Sequence, residues 1–140
     1  MSDHRVAFIF PGQGAQGIGM ARDVYEAFPA ARNVFETASG VLGYSMQELC
    51  FEPNDRLDLT AYTQPALLTA SIALLEAFRS VASPGAQRHD AAAGLSLGEY
   101  TALVGTASLD FASAVDVVAL RGHLMQNACP PGVGAMSTVL

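Results

Sequence analysis

Seven consecutive residues carry the arrangement that serine chemistry needs: Gly94-Leu95-Ser96-Leu97-Gly98-Glu99-Tyr100. They read G-x-S-x-G. A small apolar run, Ala91-Ala92-Ala93, precedes them, and a helix-compatible run from Glu99 to Ser108 follows. Strand, tight turn with a central serine, then helix is the context of a nucleophile elbow. The turn is sharp, so Gly94 and Gly98 lie where a Cβ would collide with neighbouring backbone. Ser96 then stands at the apex with its Oγ exposed. The Leu97 N–H points to where an oxyanion would form, and the next helix adds the positive end of its dipole.

A second candidate lies near the start. Pro11-Gly12-Gln13-Gly14-Ala15-Gln16-Gly17-Ile18-Gly19-Met20 is a glycine-dense loop after an apolar run. Gly12, Gly14 and Gly17 match G-x-G-x-x-G, which raises a dinucleotide-binding alternative. That fingerprint needs a second strand ending in an acid about 20 residues on. The segment from Pro29 to Leu42 reads as helix instead, with Val34, Phe35 and Ala38 at helical spacing and Glu36 as an exposed helix residue. The other use of such a loop is to offer backbone N–H groups and an amide side chain to a developing anion. Gln13 is the candidate; its plainer role is to tie the loop together.

Ser96 also needs a base to take its proton. The chain holds three histidines. His4 precedes the first strand, at the sheet end opposite the strand-to-loop site. His89 is seven residues before Ser96, up to ~23 Å away in an extended run. His123 follows Arg121 by two residues on one helix, about 200° around its axis. If Arg121 faces the site, His123 faces away. None is placed to act as base.

The elements that must position these residues follow from pattern and punctuation. Arg5 to Phe10 suits a strand buried on both faces of a parallel sheet. Helices are expected over Ala21–Phe28, Pro29–Leu42 and Ser45–Phe51, with a turn at Glu52-Pro53-Asn54-Asp55. Thr63 can cap a long helix with Pro65 in its first turn and an apolar stripe of Leu68, Ile72, Leu75 and Phe78, ended by Ser83-Pro84-Gly85. Residues 84–90 read as a polar loop. Ser108 can cap a last helix, roughly Asp110 to Asn127, broken at Cys129-Pro130-Pro131-Gly132. Residues 134–140 look like the start of a new strand.

Composition bounds the class. The chain has 140 residues, of which 51% are apolar and 14% charged, enough for one domain with a real core. Thirteen acids against seven bases, all of them arginine, argue against a nucleic-acid or anionic-membrane surface. An anionic small molecule needs only one well-placed cation. Cys50 and Cys129 match no metal or disulfide spacing and read as free thiols, and no metal is expected. No run approaches the ~20 apolar residues of a membrane span. The residues before Pro11 are too few for a signal peptide, so the expected place is the cytoplasm.

Three stretches, taken in order, carry a resemblance: Phe10-Pro11-Gly12-Gln13-Gly14-Ala15-Gln16, the elbow, and Arg121-Gly122-His123-Leu124-Met125-Gln126 leading into Gly132-Val133-Gly134-Ala135-Met136. They resemble malonyl-CoA:acyl carrier protein transacylases, and the acyltransferase domains of polyketide synthases are similar. The resemblance implies an α/β fold: a partial α/β-hydrolase-like parallel sheet with flanking helices, lacking the family's ferredoxin-like subdomain. Residues 1–134 would be the N-terminal part of the large subdomain, and 135–140 the start of the first strand of the missing one. It also implies the chemistry. Ser96 would carry malonyl as an ester between malonyl-CoA and the phosphopantetheine thiol of acyl carrier protein, with no bound cofactor. The backbone N–H groups of Gln13 and Leu97 would form the oxyanion hole, and Arg121 would grip the malonyl carboxylate through two parallel N–H···O bonds.

The family commonly has His immediately before the nucleophile; here it is Leu95, but that neighbour is not the family's general base, so the change alone does not argue against catalysis. The base histidine lies later in the family's chain and is absent here. The expectation is therefore an inactive chain by itself, with exposed apolar surface and a tendency to self-associate. A complementing C-terminal chain would be its partner. A polyketide-type extender acyltransferase, a non-catalytic half-enzyme and a serine hydrolase remain as alternatives.

Overall fold

The computed structural model describes residues 5–129 and 133–134. The order is β1 (Ala7–Phe10), α1 (Arg22–Ala27), α2 (Pro29–Leu42), α3 (Met46–Phe51), α4 (Thr60–Val81), β2 (Ala91–Gly94), α5 (Gly98–Gly105) and α6 (Phe111–Asn127). The two strands pair in parallel, Phe8 with Ala92 and Phe10 with Gly94, so both run toward the same end. The glycine loop leaves β1 there and the elbow leaves β2, which is how residues some eighty positions apart become neighbours. Of the strand expected at 134–140, residues 135–140 lie outside those described, as does His4.

The long helix α4 is the spine. Leu68, Ile72 and Ala73 are among its buried residues, while Leu74, Phe78 and Val81 are exposed, and α2 and α6 pack along it. Pro29 opens α2 in its first turn, where a missing N–H costs nothing. Ser45 caps α3 by accepting from the Glu48 N–H. Phe35, Phe51 and Tyr25 meet ring against ring, with centroids 5.1–5.4 Å apart, to fill the space between α1, α2 and α3.

Three expectations are corrected. First, only one face of the sheet is covered. Phe10 is buried, and Phe8 meets the Phe78 ring edge-on at 6.3 Å. The alternate residue Ile9 is 72% exposed and its neighbour Ala93 is exposed too, because among the described residues nothing packs on that side. Second, α4 begins at Thr60, with Leu59 as its extended cap residue. The Thr63 hydroxyl donates to the carbonyls of Leu57 (2.6 Å) and Leu59 (3.0 Å) instead of accepting from a first-turn N–H. Pro65 therefore lies inside the helix. Third, Asp110, not Ser108, caps α6: its carboxylate accepts from the Ser113 N–H at 2.9 Å and the Ser113 hydroxyl at 3.1 Å. The Ser108 hydroxyl is paired with that of Thr106, at 3.0 Å.

Both cysteines are unpaired. Cys50 is buried on α3 against the Met46 sulfur at 3.7 Å, and burial pushes its thiol up to about 12. Cys129 is exposed. A thiol reagent at neutral pH is expected to label Cys129 alone in the folded chain and Cys50 only after denaturation, as read by mass. Rapid labelling of Cys50 without denaturant would mean that the α2–α3 layer opens.

Candidate active site

The elbow is built by close backbone approach. A Cβ on Gly94 would lie 1.9 Å from the Gly98 carbonyl carbon, and one on Gly98 would lie 2.4 Å from the Phe10 carbonyl oxygen. Only glycine lets β2 turn directly into α5 while α5 starts against the end of β1. Ser96 has φ 53°, the left-handed conformation that a non-glycine residue adopts at a cost of about 1–3 kcal/mol. The turn is held from behind: the Leu95 N–H donates to the Phe10 carbonyl at 3.2 Å, and Leu97 is buried with 1% exposure. Ser96 itself is exposed.

The glycine loop lies against this turn. A Cβ on Gly12 would come within 2.6 Å of the Leu95 carbonyl oxygen. Further along, the loop hangs on the approach to α4. Gln13 Nε2 donates to Thr60 Oγ1 at 3.0 Å, and Gln16 Nε2 donates to Asp58 Oδ1 at 3.0 Å while its Oε1 accepts from the Gly14 N–H at 2.8 Å. The Gln13 side chain thus performs the tying role. Its backbone is another matter: among the described residues neither the Gln13 nor the Leu97 N–H donates a hydrogen bond. An oxyanion hole requires uncommitted N–H donors; one of these follows Ser96 directly and the other belongs to the loop whose Gly12 packs on Leu95. The dinucleotide alternative loses its support, since α2 is a helix and Glu36 is exposed on it.

Arg121 reaches the same place from α6. Its Nη2 donates to Ser96 Oγ at 3.1 Å, its Nη1 donates to Gln64 Oε1 at 2.5 Å, and its guanidinium lies 5.6 Å from the Tyr100 ring centroid. The helix comes close because Gly122 has no side chain: a Cβ there would sit 2.8 Å from the Thr60 carbonyl oxygen. Gln64 on α4 is 1% exposed and donates through Nε2 to the Met125 sulfur at 3.3 Å. The sequence reading missed Gln64 and Thr60. The available signal was a buried-type position, just before Pro65, filled by an amide within an apolar run.

The described histidines stay away from Ser96. His89 stacks on Phe8, centroids 4.7 Å apart, and its Nδ1 is buried without a partner. His123 is exposed and pairs through Nε2 with Asn127 at 3.0 Å. Among the described residues no group of three or more His, Cys, Asp or Glu is arranged to hold a metal, and no helix is long and apolar enough to cross a membrane.

A serine raised on a left-handed turn between a parallel strand and a helix, with a guanidinium nitrogen 3.1 Å from its hydroxyl, has the form of a nucleophile elbow in a partial α/β fold. The chain belongs to the acyl transferase domain family, which matches residues 7–139. It is 47% identical over 138 residues to the malonyl CoA-acyl carrier protein transacylase of Bacillus subtilis, covering 97% of this chain and 42% of that protein. The Escherichia coli K12 transacylase is 45% identical over 135 residues, covering 96% and 43%. Among solved structures, the Clostridium perfringens transacylase superposes with a TM-score of 0.84 at 38% identity, covering 92% of this chain and 40% of that one. A malonyl-transacylase solved in complex with a type II PKS acyl-carrier protein gives 0.85 at 43%, covering 92% and 41%. The chain therefore spans about two-fifths of the length of the relatives it matches.

Proposed function

We propose that this chain supplies the nucleophile half of a malonyl-CoA:acyl carrier protein transacylase, with residues 1–134 as the N-terminal part of the large acyltransferase subdomain. The observation that carries the reading is the Arg121 Nη2 to Ser96 Oγ distance of 3.1 Å. It puts a cation within reach of an acyl group on that oxygen. Malonyl carries a free carboxylate that needs such a cation.

The reaction has two displacements. Ser96 Oγ attacks the thioester carbon of malonyl-CoA, its proton passes to a base, and the C–S bond breaks to release the CoA thiol. The phosphopantetheine thiol of acyl carrier protein then attacks the Ser96 ester, and the oxygen regains a proton. The Gln13 and Leu97 N–H groups hold the carbonyl oxygen as it gains charge. Arg121 pairs with the malonyl carboxylate. No bound cofactor enters, and a cytoplasmic setting suits CoA thioesters and the free thiols. A segment equivalent to the remaining three-fifths or so of the relatives would bring the base.

The test is the intact mass of the chain after incubation with malonyl-CoA, with Ser96→Ala alongside. Alone, the chain is expected to gain little or no malonyl ester. Adding the remaining part of a relative as a separate polypeptide is expected to restore one ester per chain, in the parent and not in Ser96→Ala. An ester that forms equally in Ser96→Ala, or none in the complemented assembly, would remove the transacylase reading.

A further inference from the structure

A buried or half-buried arginine usually meets a carboxylate. Arg121 does not. Among the described residues it forms no ion pair, and the oxygen it meets away from Ser96 is the Gln64 amide at 2.5 Å. The orientation of that amide is dictated by chemistry. A guanidinium only donates, so Oε1 must face it, and Nε2 turns to the Met125 sulfur, a weak acceptor. Gln64 is 1% exposed and sits on the most buried stretch of α4, so the fold holds it rigidly. Glutamate has nearly the same shape and would bond Arg121 more strongly. A neutral amide stands at the one place where a carboxylate would both fit and stabilise.

We propose that Gln64 is a positioning residue that sets specificity by its neutrality. It aims the guanidinium at Ser96 and leaves the positive charge uncompensated for a substrate carboxylate. The inference rests on the malonyl reading above and deepens it. A carboxylate at position 64 would convert Arg121 into half of an internal ion pair. An acyl group bearing its own carboxylate would then meet no net positive charge and a nearby like charge. A neutral acyl group would lose nothing.

The experiment measures the affinity of this chain for malonyl-CoA and for acetyl-CoA by calorimetry, in the parent, Gln64→Glu, Gln64→Met and Arg121→Ala, with the thermal midpoint of each. The CoA portion is common, so the ratio reports the acyl site. The parent is expected to prefer malonyl-CoA. Gln64→Glu is expected to weaken malonyl-CoA by about tenfold or more, to leave acetyl-CoA within about twofold, and to melt no lower than the parent. Gln64→Met removes the anchor but keeps the charge, so it should weaken malonyl-CoA less and keep part of the preference. A merely structural role gives the reverse order, because glutamate is the closer fit. That reverse order overturns the proposal. So does complete loss of preference in Gln64→Met, which decides the matter even if Gln64→Glu does not fold. If Arg121→Ala loses the preference while Gln64→Glu retains it, the role of Gln64 falls and the malonyl reading stands. If the parent shows no preference, or Arg121→Ala keeps it, both fall.

Discussion

Gly94→Ala is expected to dismantle the elbow. The added Cβ would lie 1.9 Å from the Gly98 carbonyl carbon, 2.0 Å from its oxygen and 2.6 Å from the Glu99 nitrogen. All three are backbone atoms in the first turn of α5, so no side chain can swing aside. Relief requires α5 to move away from β2, and Gly98 already sits against the Phe10 carbonyl. The movement would therefore also loosen α5 from β1. Overpacking of this kind costs at least the upper part of about 1–3 kcal/mol, and more where only backbone can yield. Against a total stability of about 5–15 kcal/mol, that is a visible drop in the urea midpoint. Ester formation at Ser96 in the complemented assembly should vanish even where the chain stays folded, since the φ of 53° at Ser96 exists only while the turn is forced. Gly40→Ala is the counterpart. Gly40 lies within α2 with nothing within 4 Å of a new Cβ, so alanine there should stabilise by about 0.5–1 kcal/mol. Equal effects at the two positions would mean that close approach is not what glycine supplies at 94.

The contrast between these glycines shows what the sequence made legible. G-x-S-x-G between a short apolar run and a helix names a local conformation, and the close approach of Gly94 to Gly98 and Glu99 that forces the turn lies within four positions of Ser96. Pro29 and Ser45 likewise act within one turn of themselves. Other features depend on choices that local sequence leaves open. A threonine hydroxyl can accept from an N–H or donate to a carbonyl, and Thr63 donates to Leu57 and Leu59, which moves the start of α4 to Thr60. An aspartate two residues beyond Ser108 is the stronger acceptor for α6, because its carboxylate takes both the N–H and the hydroxyl of Ser113. The open side of the sheet was hidden for another reason. Val6 to Phe10 is apolar at every position, so pattern alone indicates two buried faces, while Ile9 is 72% exposed. Its coverage is decided by whatever packs there, not by the strand. Gln64 was the least legible. Its partner Arg121 is 57 residues away, and no spacing rule links them until α6 docks on α4 through Gly122.

Arg121→Ala carries the largest expected effect on substrate choice. The guanidinium is partly buried, braced by Gln64 and the Tyr100 ring, and 3.1 Å from the oxygen that would carry the acyl group. Removing one member of a desolvated, hydrogen-bonded charge pair costs about 2–5 kcal/mol. Because Arg121 is only partly buried, the lower half of that range applies, about 30- to 300-fold in malonyl ester formation by the complemented assembly. Acetyl transfer should change little, because acetyl presents nothing to the guanidinium. Arg121→Lys should fall between the two. It keeps the charge but offers a single point of contact, and it cannot hold Ser96, Gln64 and a carboxylate through one planar fork. The alanine deficit should shrink in high salt, since screening weakens what the parent gains from its charge at a half-open site. A serine hydrolase that releases its acyl group to water would show a different pattern, with Arg121→Ala slowing acetyl and malonyl equally. Equal slowing would leave Ser96 as the nucleophile and take malonyl selection away from Arg121.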